Sequence, residues 1–203
     1  MISLFAGFAM AVGSPAGHAQ NYQPREINGV GDSARFPISI GIFERHRIFA
    51  YSAGLEDVSV GYNSAEPGYR SGSTIYFYPV YNRIGDAAAN LELEFATVKA
   101  QISRYPGGRW VEDRATVKVH QDSGPVGGLS ATYRFKAQFF GEERELFSEL
   151  QLFVIGERFV KFRHTYPAEH REFLRLQIDN LMATLKWEDV DEEELIRALS
   201  HAL

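Results

Sequence analysis

The chain has 203 residues, no cysteine, a 45% apolar share and a formal net charge of -5. That composition excludes wholesale disorder, disulfides, thiolate metal sites and cysteine nucleophiles. A pI near 5.7 argues against a nucleic-acid partner.

Residues 1–19 read as an export signal. Met1 to Val12 is an uncharged apolar run, broken at Gly13-Ser14-Pro15 and followed by Gly17-His18-Ala19, which fits cleavage after Ala19. The run is too short to span a bilayer, so no transmembrane span is expected. No basic residue precedes it, which suggests a true start further upstream. The reading places the protein in the periplasm or outside the cell.

Residues 20–35 lack periodicity and read as a flexible lead-in. Order begins at Phe36, and residues 36–187 read as one α+β domain. Ile38, Ile40 and Ile42 alternate as in a strand. RIFAY (47–51), VSVGY (58–62) and TIYFYPVY (74–81) are further strand candidates rich in branched and aromatic residues. Asp86 is a good N-cap for a helix running to Tyr105, with Leu91, Phe95, Val98, Ile102 and Tyr105 on one stripe. Pro106-Gly107-Gly108 ends it. A strand at 115–120, a glycine-rich loop at Gln121–Gly128, and three strands at 131–139, 145–155 and 158–166 follow as a meander. Pro167 stops the last strand. Glu169 to Trp187 reads as a second helix, with Leu174, Ile178, Leu181, Met182 and Leu185 on its apolar face. The expected architecture is α+β: an antiparallel sheet with two main helices packed on it, plus a short acidic C-terminal helix.

The net charge sits in residues 188–203, where six acids face only Arg197. The rest of the chain is formally neutral. That tail could engage a basic partner.

Element order, the TIYFYP run, the single mid-chain helix at 86–105 and the closing unit FVKFRHTYPAEHREFLRLQIDNLMATLKW resemble the PsbP/DcrB-like fold family. The resemblance spans about Phe36 to Trp187. It implies a small exported α+β protein that binds or assists other molecules, mostly without catalysis. No functional residue carries over from it. The Gln121–Gly128 segment and the acidic tail fall outside its pattern.

No nucleophile elbow, phosphate-binding loop or zincin motif is present, and no cofactor is implied. Three residue groups carry chemistry. His164, Glu169 and His170, where the last strand meets the last helix, could converge on a metal or form an acid/base pair; the plainer account is a half-buried His164 and a solvated His170. Arg134, Lys136, Lys161 and Arg163 read as polar-face residues of two meander strands. Glu149 on the strand between them could bridge both rows. They form either ordinary cross-strand pairs or an anion-binding face. Tyr62, Tyr69, Tyr76, Tyr78 and Tyr81 cluster around one loop and strand, as core packing or as a ligand groove.

The leading functional expectation is an exported, non-catalytic protein binding a partner protein or small ligand in the cell envelope. The alternatives are an envelope hydrolase or metal-dependent enzyme using His164, Glu169 and His170, and an assembly factor acting through its acidic tail.

Overall fold

The structure, a computed structural model, describes residues 23–32, 36–81 and 83–187. Residues 1–19, expected to be an export signal, and the acidic segment 188–203, expected to form a short helix, lie outside the described residues.

Alternating apolar residues and two-residue turns build about half of the described residues into strands. In chain order these are β1 (Arg25–Glu26), β2 (Ser39–Ile40), β3 (Phe43–Ala50), β4 (Val58–Ser64) and β5 (Gly72–Pro79). Helix α1 (Ala87–Ile102) follows, then β6 (Arg109–Gln121), β7 (Gly124–Phe139), β8 (Glu142–Ile155) and β9 (Arg158–Pro167). A single 3-10 turn (Ala168–His170) leads into α2 (Arg171–Thr184). All nine strands join one antiparallel sheet in the order β1-β3-β4-β5-β9-β8-β7-β6, with β2 also on β3.

This corrects the α+β expectation. About half of the described residues are in strands and a fifth in helices, so the described part is mainly β. The difference lies in strand length. β6 begins at Arg109, well before the expected 115–120, and ends at Gln121, carried across irregular register by bulges between Trp110 and Ala115. The glycine-rich segment is a strand as well. The turn occupies only Asp122 and Ser123, because Gln121 already pairs with Gly124. Gly128 meets β8 so closely that a Cβ there would lie 2.5 Å from the Leu152 carbonyl oxygen. Glycine at that point permits close strand approach.

The two helices cover opposite faces of the sheet. α1, capped by the Asp86 carboxylate accepting from Ala89 N–H, buries Phe95, Val98 and Ile102 against β7 and β8. α2 lays Leu174, Ile178, Leu181 and Met182 on the other face, over Ile48, Val60, Ile75, Phe153 and Phe162. Trp187 closes that second core against Phe153 and Phe162, with ring centroids 4.8 and 5.7 Å away. Its indole N–H donates to the Met182 carbonyl. Truncating a buried aromatic of this kind costs about 3–5 kcal/mol.

Part of the expected lead-in is tied down. β1 pairs with β3, Ile27 is buried, and the Arg45 guanidinium donates to the carbonyls of Val30, Gly31 and Phe36. These bonds satisfy backbone acceptors that an irregular segment otherwise leaves open.

Candidate functional site

α1 covers only the β7–β8 end of its face. The neighbouring β3, β4, β5 and β9 leave a groove there of about 840 Å³. Strand register builds its floor. Arg47 pairs with Gly61, Gly61 with Thr74, and Thr74 with Arg163. Paired residues in an antiparallel sheet share a face, so these four positions form one row across four strands. Gly61 supplies no side chain and Thr74 a short one. The row is therefore a trough with an arginine at each end. The Arg47 chain lies over Gly61: a Cβ on that glycine would be 3.4 Å from Arg47 Cγ.

The charges in this trough are not neutralised locally. Among the described residues, none of Arg47, Arg70 and Arg163, all of which line the groove, forms an ion pair. Arg144, also in the lining, is held by Glu142 and Glu169. Arg163 Nη2 donates to Ser148 Oγ at 3.1 Å, which fixes the guanidinium in place. Burial pushes the Tyr76 phenol up to about 12, and the nearby positive charges of Arg163 and Arg47 oppose that rise. Tyr105, three residues past the end of α1, is likewise raised by burial, and its contact with Arg163 works against the shift. Neutral phenol groups and fixed guanidinium groups thus face the same space. Such a set accepts a carboxylate or phosphate and offers aromatic surface beside it.

Lys161 lies one residue pair further along the same face, opposite Tyr76 and Leu152. It is buried, and its Nζ approaches the Tyr76 and Tyr78 rings. Burial lowers the ammonium to about 8, against the pull of Glu94. The Tyr78 hydroxyl donates to that Glu94 carboxylate at 2.7 Å.

The residues singled out from the sequence divide between the two faces. Leu150 pairs with Arg163 and Leu152 with Lys161, whereas Glu149 pairs with His164 and Thr132. Glu149 therefore points away from Lys161 and Arg163, and the expected bridge between two basic rows does not form. Glu149 is instead buried under α2, where it accepts from the Tyr166 hydroxyl and lies 3.7 Å from Arg175 Nε. Arg134, on that same α2 face, pairs with Glu145 and packs on Phe147. Lys136 is exposed, outside the groove.

The five tyrosines do not share one groove either. Tyr62 sits in the α2-side core and donates to the Pro37 carbonyl, although it also borders the groove. Tyr69 packs on His170 and Phe173. Tyr76 and Tyr78 lie on the α1 side, and Tyr81 is exposed.

His164 is fully buried. Its Nδ1 hydrogen-bonds Ser73 Oγ at 2.8 Å, its ring stacks on Phe162, and burial drives its basicity down to about 3. Glu169 is held by Arg144, and His170 lies against Tyr69. Each member of the trio thus has a separate partner. Among the described residues, no group of three or more His, Asp or Glu is placed to hold a metal.

Reading the sequence strand by strand missed Arg47, Arg70, Tyr105 and Phe140. One signal was available: a glycine inside the VSVGY strand marks a close approach by another group, and here that group is the Arg47 side chain.

Compared with known proteins, the chain matches no family model and no curated protein. Among the described residues, no helix is long and apolar enough to cross a membrane.

Proposed function

We propose that this chain is a non-catalytic binding protein that holds a small organic anion in the α1-side groove. The observation that carries this reading is the row Arg47–Gly61–Thr74–Arg163, two arginines without carboxylate partners facing each other over a trough. A charge-assisted hydrogen bond contributes about 1.5–3 kcal/mol. Two such contacts support micromolar to millimolar affinity for a small acid once ordering costs are met. The buried, hydrogen-bonded state of His164 supports binding over hydrolysis at that position. The apolar run and the small-residue cleavage pattern at 1–19 support export, so the ligand is met in the periplasm or outside the cell.

Isothermal titration of 2-naphthoate and octanoate into the purified protein tests this. Wild type binds at least one of these acids, and Arg47→Ala and Arg163→Ala each weaken binding about tenfold or more. Unchanged affinity in both variants would sink the proposal. Edman sequencing of protein from the envelope fraction tests export, and a mature chain still starting at Met1 argues against it.

A further inference from the structure

Two groove-lining residues, Phe140 and Arg70, meet at the β7–β8 turn. Phe139 pairs with Glu142, so the turn consists only of Phe140 and Gly141. Both have positive φ, 51° and 88°. This is the pattern of a type I′ hairpin, which favours Asn-Gly or Asp-Gly. Glycine satisfies it at the second position. A bulky Phe at the first is an outlier that other interactions must offset.

Burial does not supply that offset, because Phe140 is 43% exposed. What holds the ring is local. Phe139 meets it edge-on at 4.7 Å, and the Arg70 guanidinium lies 4.9 Å from its centroid. The strained position therefore presents an aromatic face, braced by a cation, at the mouth of an arginine-lined trough. Tyr76, Tyr105 and Phe135 continue the aromatic lining inward.

We propose that Phe140, braced by Arg70, is a specificity-determining residue, and that the groove selects an aromatic acid: a planar ring bearing a carboxylate. The ring stacks on Phe140 while the carboxylate reaches Arg47 and Arg163. This rests on the anion-binding reading of the groove. It adds the chemistry of the ligand's apolar half.

The test compares 2-naphthoate with octanoate on wild type, Phe140→Asn and Phe140→Leu, by titration calorimetry and thermal melting. Wild type binds naphthoate about tenfold tighter than octanoate. Both variants lose that preference, because naphthoate affinity falls about tenfold further than octanoate affinity does. Phe140→Asn leaves Tm unchanged or raises it by about 2–4 °C, because asparagine suits the turn. Equal wild-type affinities, or a preference retained in both variants, would overturn the assignment while leaving the anion site standing. A lower Tm in Phe140→Asn would assign the ring to packing and also overturn it. Binding of neither acid by wild type would remove the anion-binding reading and this one together.

Discussion

The ammonium group of Lys161 lies 4.3 Å from the centre of the Tyr76 ring and 5.1 Å from that of Tyr78. Among the described residues it forms no ion pair. Two π-faces thus stand where a carboxylate would be usual. They recover only part of the hydration that a buried cation gives up.

The cost of this arrangement depends on pH. Burial depresses the folded-state value to about 8, below the unfolded value near 10.5. Between those values the unfolded chain binds more protons, so stability rises with pH there and falls as pH drops through 8. Lys161→Met removes that dependence. The difference between wild type and variant in unfolding free energy, from denaturant titration, should change by about 1.4 kcal/mol per pH unit between pH 8 and 10. The variant should be the more stable at pH 7. A constant difference across that range would show that the lysine titrates normally.

His164 gives the acid counterpart. Its folded value near 3 lies below the usual 6.5, because a fully buried imidazole loses hydration on charging. The stability it protects is complete above pH 6.5 and declines as pH falls toward 3, since only the unfolded chain takes up the proton. Urea unfolding at pH 7 and pH 5 should show wild type losing about 2 kcal/mol more than His164→Gln. Equal losses would place the imidazole in contact with water.

Much of this was legible in the strands themselves. The alternation at Val160, Phe162, His164 and Tyr166 puts these residues on one face, and they do line the α2-side core. Asp86 caps α1 as its position suggests. Which face each strand shows to its neighbour was not legible, because period-2 patterning fixes faces within a strand and not between strands. Lys161 and Glu149 looked like partners for that reason, and the register sends them to opposite sides. The groove was hidden on similar grounds. Arg47 and Arg163 are 116 residues apart, and only the β4–β5 pair between them makes them neighbours. The glycine-rich Gly124–Gly128 misled in the other direction: local composition signals a loop, while cross-strand crowding explains at least Gly128.

That crowding is directly testable. Gly128→Ala pushes a methyl group against the Leu152 carbonyl and the Phe153 ring, each 2.5 Å from the new carbon. Destabilisation by about 1–3 kcal/mol is expected. Gly127→Ala, with nothing within 4 Å of the added carbon, is the control and should shift stability by less than about 0.5 kcal/mol. Similar losses in both would show that glycine matters there for backbone reasons alone.

Tyr166 and Glu149 form a buried pair that ties the sheet to α2 through Arg175. Desolvation raises the Glu149 carboxyl, opposed by the Tyr166 hydroxyl and then the arginines. Tyr166→Phe removes the donor and leaves the carboxylate short of one bond. A loss of about 1–3 kcal/mol by urea titration is expected. It should shrink on acidification, as the carboxyl becomes protonated. A loss that does not vary with pH would mean that the hydroxyl serves packing alone.

The pairing of β5 with β9 has a kinetic consequence. Ser73 meets His164 across 91 residues of chain. α1 and the β6–β9 meander occupy most of that interval, and each contact among them closes a shorter loop. Closing the long one carries the larger entropy cost. The C-terminal meander is therefore the natural nucleus, and the N-terminal strands dock on it last. Because Arg47 and Arg163 belong to different halves, the groove comes into being only at that final step. Ligand-binding signal in a refolding experiment should accordingly lag behind β-sheet signal.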